Sequence, residues 1–201
     1  LDQSTISRDV KYIEPVIKNC IPIPEKMTKR TKRIGTLEEL LELYPEMKAF
    51  LDATEQEIPR PKNKRRRKNY YSGKKKKHTV KTQIMVNKKG LILHKTRHRK
   101  GKQHDYDMFK KNGPPPIPPK VELGVDLGYL GIKKDYPELN VNIPVKKPKK
   151  KELTRQEKRY NKKQRKARVI VEHTIGRMKK FRIMAEEFRN RLTRYDRMTS
   201  I

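Results

Sequence analysis

Three acidic residues stand apart in a chain that is otherwise rich in cations. Asp52 follows an apolar run, Asp126 precedes a glycine-containing turn, and Glu172 lies in a cationic stretch. Three carboxylates gathered by folding would suit one or two Mg²⁺ or Mn²⁺ ions, which prefer oxygen ligands. Two such ions about 3.5–4 Å apart could activate a water or a DNA 3′-hydroxyl and stabilise the leaving oxygen of an in-line displacement. The chemistry predicted for this set is phosphoryl transfer on nucleic acid.

The composition indicates the same partner. The 201 residues include 54 Lys and Arg against 23 Asp and Glu, a formal net charge of +31. Such a chain repels itself, and a polyanion is its natural counter-charge, so nucleic acid is expected and ordinary metabolic enzymes are disfavoured. The single cysteine and the lack of zinc-ligand spacing disfavour a disulfide scaffold and a structural zinc site. The sequence has no apolar run of about 18 residues, so we expect no membrane partner.

Apolar periodicity predicts the strands that would present two of the acids. A short strand is expected to end at Asp52, and residues 78–87 alternate apolar and polar positions. A Lys-Gly turn then leads into residues 91–98, which predicts an antiparallel hairpin. A further strand is expected to deliver Asp126 at its C-terminal end.

Capping patterns predict the helices. A short helix is expected to end at Gly113, and Thr154 with Glu157 forms a capping box that starts the long helix carrying Glu172. Residues 186–192 are predicted to form one more short helix. Gly176, one turn after Glu172, would leave room either for a substrate backbone or for a packed helix.

Two basic segments, 59–77 and 146–168, are expected to form loops, although the second also contains the predicted helix start. The first interrupts two strand-like segments, which favours contact with a DNA backbone over a solvated tail or a targeting signal.

The first residues have the apolar spacing of a short helix that Pro15 ends or kinks. Its opposite face carries hydroxyls and cations of the kind that meet DNA, although an ordinary surface helix has the same pattern. A second helix is predicted from the capping box of Thr36 and Glu39.

Several strings in register resemble one family. They are LDATEQEIPRP, GKKKKHTVKTQIMV, GKQHD, DLGYLG and RVIVEHTIGRMKKFRIM, and they cover about residues 50–192. In this order they are similar to the DDE-type transposases of bacterial and archaeal insertion sequences, in the group related to the Harbinger-like nucleases. The opening QSTISRDVKYIEP looks like the recognition helix of the helix-turn-helix that precedes their catalytic domain. The resemblance implies that the upstream helices of this DNA-binding domain are absent, as expected for an N-terminally truncated transposase.

The resemblance implies an α/β fold, an RNase H-like mixed sheet flanked by helices, with a partial N-terminal helix-turn-helix. It implies that Asp52, Asp126 and Glu172 are the catalytic, metal-binding triad. His104 and Asp105 match the family's His-Asp pair and are expected to support the site or position substrate. The expected domains are 1–45 for DNA binding and a linker helix, 46–192 for catalysis, and 193–201 as a tail.

The expected DNA contacts combine the N-terminal helix, the basic segments and two residues of the long helix: Ser4, Thr5, Ser7, Arg8, Lys11, Arg60, Lys62, Arg65, Arg66, Arg67, Lys74, Lys75, Arg168 and Arg177. The expected cofactors are two divalent ions, Mg²⁺ or Mn²⁺. The expected partners are transposon ends and target DNA, with a homodimer on DNA, and the expected location is a prokaryotic cytoplasm in association with the nucleoid.

Three functions are therefore weighed. The first is a transposase that cleaves DNA strands and joins them to a target. The second is a catalytically silent DNA-binding remnant or repressor derived from one, and the third is a ribosome-associated RNA-binding protein suggested by composition alone.

Overall fold

A mixed β-sheet forms the centre of the computed structural model, which describes residues 8–13, 15–16, 48–114, 117–149 and 151–200. Within those ranges the sheet has seven strands: β1 Lys48–Glu57, β2 Tyr71–Ser72, β3 Lys77–Asn87, β4 Ile92–Lys95, β5 Arg99–Lys100, β6 Glu122–Gly124 and β7 Val141–Asn142.

The strand order places β1 at the centre of the sheet. The order is β2-β3-β1-β6-β7, and β4 and β5 pair with the outer edge of β3. β1 and β3 are antiparallel over their whole length, whereas β1, β6 and β7 are mutually parallel. The predicted hairpin is confirmed as β3 and β4.

The helices lie on both faces of this sheet. In the described part of the chain they are α1 Lys64–Tyr70, α2 Asp105–Asn112, α3 Ile132–Asp135, α4 Arg155–Met178, α5 Arg182–Ala185 and α6 Tyr195–Met198. The predicted capping box is confirmed, because Thr154 and Glu157 exchange hydrogen bonds at the start of α4. The predicted end of α2 at Gly113 is confirmed too, with a φ of 75° that glycine adopts without strain.

Two apolar clusters attach the helices to the sheet. Phe50, Ile84 and Val86 pack against Val171 of α4. Leu51 and Met85, which point to the other face, pack against Phe109 of α2 and Tyr129. Because successive side chains of a strand alternate between faces, α4 and α2 cover opposite sides of β1 and β3.

Three local predictions are wrong. β1 continues past Asp52 to Glu57, because the polar residues after Asp52 keep their hydrogen-bonded partners on β3. The predicted loop at 59–77 contains helix α1, since lysine and arginine are good helix formers and Asn63 caps its start. The expected loop at 146–168 is wrong from Arg155 onward, because α4 begins there, at the helix start that the capping box predicts, and continues beyond residue 168.

The last described residues differ from their prediction as well. The helix predicted over residues 186–192 does not form. In the middle of this segment, the Phe188 backbone N–H donates to Glu57 O at 2.8 Å. Residues 193–200 do not form a tail. Tyr195 is 1% exposed and packs with Phe188, Ile58 and Val80 in a third apolar cluster.

The mixed α/β sheet flanked by helices is consistent with the predicted RNase H-like fold. The helix-turn-helix is not confirmed: residues 8–13 and 15–16 are helical and exposed, while the predicted helix at Thr36 to Glu39 lies outside the described residues. Among the described helices none is long and apolar enough to cross a membrane.

Candidate active site

Asp52 lies in the middle of β1, on the side covered by α4. It is two residues after Phe50, whose ring packs against α4, and it pairs opposite Ile84 of β3. The carboxylate is half-buried and accepts a hydrogen bond from its neighbour's backbone, Ala53 N to Asp52 Oδ1, at 2.8 Å.

Asp126 lies two residues after the end of β6, next to Asp52's strand. Because β6 runs parallel to β1 and pairs with it directly, the chain leaving β6 passes close to Asp52. The Asp126 carboxylate is 52% exposed and accepts the Leu127 backbone N–H at 2.7 Å, which caps a short 3₁₀ turn. The chain therefore brings two carboxylates to one edge of the sheet.

Arg168 of α4 reaches this pair of carboxylates. Its side chain is 10% exposed, and Nη1 donates to Asp126 Oδ1 at 3.1 Å. Its Nε is buried without a hydrogen-bond partner among the described residues. An arginine so deeply placed supplies local positive charge where the acids meet.

The electrostatics of Asp52 show which groups surround it. Burial raises the pKa of Asp52 above its ordinary value, and the charges of Asp126 and Asp105 raise it further. The Ala53 N–H and the Arg168 guanidinium lower that pKa, but burial is the largest influence. Asp52, Asp126 and Asp105 thus share one electrostatic environment with Arg168.

Asp105 is held by a buried lysine. Lys81 Nζ lies 3.0 Å from Asp105 Oδ1 and 3.4 Å from Glu55 Oε1, and the side chains of Lys81 and Glu55 are 11% and 8% exposed. Asp105 Oδ2 lies beside the turn that follows Asp126, since a Cβ at Gly128 would be 3.7 Å from it. This network fixes Asp105 on the α2 side of the site.

Glu172 stands apart from the two aspartates. It follows Arg168 by four residues, so both project from one side of α4, but Glu172 is exposed. No group of three acidic, histidine or cysteine side chains that could hold a metal ion occurs among the described residues. The oxygen donors of Asp52 and Asp126 fit a divalent cation, whose charge would relieve their repulsion.

Comparison with known proteins identifies a family and a relative. The family described as DDE superfamily endonuclease matches residues 51–201, from β1 through every element named above. The chain belongs to the DDE superfamily endonucleases. It is also 33% identical over 196 residues to the probable transposase for insertion sequence element IS702 of Microchaete diplosiphon. That match covers 97% of this chain and 66% of the relative, so the chain spans about two thirds of the relative's length.

No solved structure matches the chain. The resemblance to DDE-type transposases is confirmed by these comparisons, and DDE superfamily endonucleases generally use divalent metal ions. In this member of the DDE superfamily endonucleases, the fold brings the carboxylates of Asp52 and Asp126 to one edge of the sheet, with Asp105 in the same electrostatic environment.

The other predicted site residues differ in their exposure. His104 is exposed and precedes α2. Ser4, Thr5 and Ser7 lie outside the described residues. Exposed side chains belong to Arg8, Lys11, Arg60, Lys62, Arg65, Arg66, Lys74 and Lys75.

Arg168 and Arg177, both predicted DNA contacts, donate hydrogen bonds within the protein, and Arg67 is half-buried. Arg168 is buried against Asp126. Arg177 Nη2 donates to Gly90 O at 3.3 Å and to Thr174 Oγ1 at 3.1 Å, which ties α4 to the β3–β4 turn. Arg67 is half-buried, with an Nε that has no partner in the described structure.

Sequence reasoning missed the supporting roles of Lys81 and Glu55. Glu55 of β1 lies directly opposite Lys81 of β3 in the antiparallel strand pair. A lysine and a glutamate at matched positions of two predicted strands would have indicated a cross-strand ion pair, but only the register of β1 with β3 identifies it.

Proposed function

We propose that the chain is a transposase that binds DNA and catalyses metal-dependent strand cleavage and strand transfer. The catalytic, metal-binding carboxylates would be Asp52, Asp126 and Glu172, in an RNase H-like domain that spans 46–192. The observation that carries the proposal is the placement of Asp52 and Asp126 on adjacent parallel chain segments, under the helix that carries Glu172.

The residues of the chain suggest how the site would work. Asp52 and Asp126 would hold two ions, Mg²⁺ or Mn²⁺, with Glu172 joining them from α4. When bound, these ions would stabilise the negative charge that develops on the reacting phosphate. Arg168, which forms an ion pair with Asp126, would also donate to a phosphate oxygen of the DNA.

The wider partners follow from the same proposal. A net charge of +31 favours binding to DNA, with transposon ends and target as substrates and a homodimer as the working unit. Asp105 and His104, at the start of α2, would position the DNA beside the carboxylates.

The test compares cleavage of supercoiled plasmid by the wild type with Asp52→Asn, Asp126→Asn and Glu172→Gln, in Mg²⁺ and in Mn²⁺. We expect each variant to lose cleavage by at least about a hundredfold while DNA binding is kept. Glu138→Gln, an exposed acid of the loop after α3, is the matched control and should cleave like the wild type. Cleavage that survives both aspartate substitutions would refute the proposal.

A second candidate is a DNA-binding remnant without catalysis. The exposed position of Glu172, outside a three-acid group, favours it. It predicts that the wild type binds DNA and shows neither cleavage nor a rise in melting temperature with Mn²⁺, whereas the transposase shows both.

A further inference from the structure

A basic cleft lies beside the candidate active site. It has a volume of about 510 Å³ and opens between the end of α1, strand β5 and the first turns of α2. Its lining includes Tyr70, Lys100, Lys102, Gln103 and Lys111. None of these five residues belongs to the catalytic carboxylates or to the predicted DNA contacts, although His104, a predicted substrate-positioning residue, also lines the cleft.

The charge of the cleft suits an anion. Lys100, Lys102 and Lys111 are exposed, and in the described part of the chain none of their ammonium groups forms a salt bridge. Arg99 adds a fourth cation, while Asp107 is the carboxylate in the lining. Three lysines held in one concavity without partners repel each other, and a bound phosphate would relieve that repulsion.

One lysine connects the cleft to the catalytic carboxylates. Lys81 Nζ donates to Gln103 O and to Asp105 Oδ1, both at 3.0 Å. Asp105 Oδ2 in turn lies beside Gly128, in the turn that follows Asp126. The floor of the cleft is therefore fixed with respect to the position where a phosphodiester would react.

We propose that this cleft binds the sugar–phosphate backbone of a single DNA strand next to the reacting phosphate. Its volume lies within the roughly 300–1,000 Å³ of small-ligand pockets, which admits one or two nucleotides and excludes a duplex. The proposal rests on the proposed function, because it takes the DNA to be the substrate of that site.

The test measures binding by fluorescence anisotropy with the intact chain in a metal chelator. The probes are a blunt duplex and the same duplex with a 3′ single-stranded extension. The double variant Lys100→Ala, Lys102→Ala should lower the affinity for the extended duplex on the order of tenfold at 0.1 M salt, with a smaller loss for the blunt one. Its salt slope on the extended DNA should fall by about 0.7 per lysine.

The matched control is Lys133→Ala, Lys134→Ala, which removes the same charge from exposed positions of α3. That helix contacts α2 through Tyr106 and Lys110, a different side from Asp107 and Lys111.

Equal losses on both DNAs, or an equal loss in the control, would overturn the proposal. The outcome is independent of catalysis, because no metal is present and Asp52→Asn should keep the preference for the extended duplex. Loss of cleavage in that variant tests the proposed function instead.

Discussion

Asp52 lies where a negative charge destabilises the folded protein. It is half-buried, and its neighbours Asp126 and Asp105 are acids, with Arg168 as the opposing charge. Since its pKa is raised in the folded chain, ionising Asp52 costs stability at neutral pH. Active sites often contain charged groups that lower the stability of the fold but are needed for function.

Asp52→Asn should therefore raise the melting temperature at pH 7 while it abolishes DNA cleavage. Because folding raises the pKa of Asp52, its negative charge lowers the stability of the folded protein above the folded-state pKa. This loss of stability is absent below the unfolded-state pKa of about 3.9. Thermal melts from pH 8 down to pH 4 would show the advantage of the variant shrinking as the pH falls.

An advantage that grew on acidification would contradict this electrostatic description. Glu138→Gln, which removes an exposed carboxylate, should leave the melting temperature unchanged across the same range.

Lys81 supplies the positive charge for two carboxylates, those of Glu55 and Asp105. Lys81→Met should destabilise the fold by about 3–5 kcal/mol, because it leaves Glu55 buried without a countercharge. Denaturant melts measure this loss. Adding Glu55→Gln to Lys81→Met should restore much of the stability but not the cleavage rate, because Asp105 still lacks its donor. Recovery of both would show that Lys81 only supports folding.

At the level of elements, α4 carries both the predicted acid and an unexplained glycine. A Cβ at Gly176 would meet nothing within 4 Å among the described residues, so packing against another helix does not explain it. Glycine costs a helix interior about 0.5–1 kcal/mol relative to alanine. The remaining interpretation is room for the DNA backbone one turn from Glu172.

Gly176→Ala should accordingly raise the melting temperature by about 1–4 °C and lower DNA cleavage. Calorimetry and plasmid cleavage measure the two effects. Ala167→Gly, earlier on the same helix, is the reverse control and should lower stability. Unchanged cleavage in Gly176→Ala would show that DNA does not approach this turn.

The sequence predicted those elements whose determinants are local. The capping box at Thr154, the β3–β4 hairpin and the end of α2 depend on neighbouring residues, and all three are confirmed. The continuation of β1 beyond Asp52 depends on pairing with β3, and the burial of Arg168 depends on where α4 crosses the sheet. Such features arise from tertiary contacts, which no spacing along the chain reveals.

On the scale of the whole molecule, the last described residues complete the fold. Tyr195 is buried against Phe188, and Asp196 accepts the His98 backbone N–H at 2.7 Å and lies 2.9 Å from its Nδ1. Gln56 Nε2 bonds to Ile183 O and Glu186 O at 2.6 and 2.8 Å. This segment therefore joins the far end of β1 to the strand that borders the cleft.

Tyr195→Ala should destabilise the whole molecule by about 3–5 kcal/mol, as expected for a buried aromatic ring. Tyr195→Phe keeps the ring and should cost much less. Denaturant unfolding followed by circular dichroism measures both. A small loss in the alanine variant would mean that the segment is peripheral to the fold.

The pairing of Asp196 with His98 also sets an order of events during synthesis. His98 and the cleft residues leave the ribosome long before Asp196 does, and Asp52, Asp126 and Glu172 precede it as well. A nascent chain thus carries all its proposed catalytic carboxylates before the wall of its cleft is secured. We therefore expect the proposed cleft to reach its full affinity for DNA only after residue 196 has been synthesised and has paired with His98.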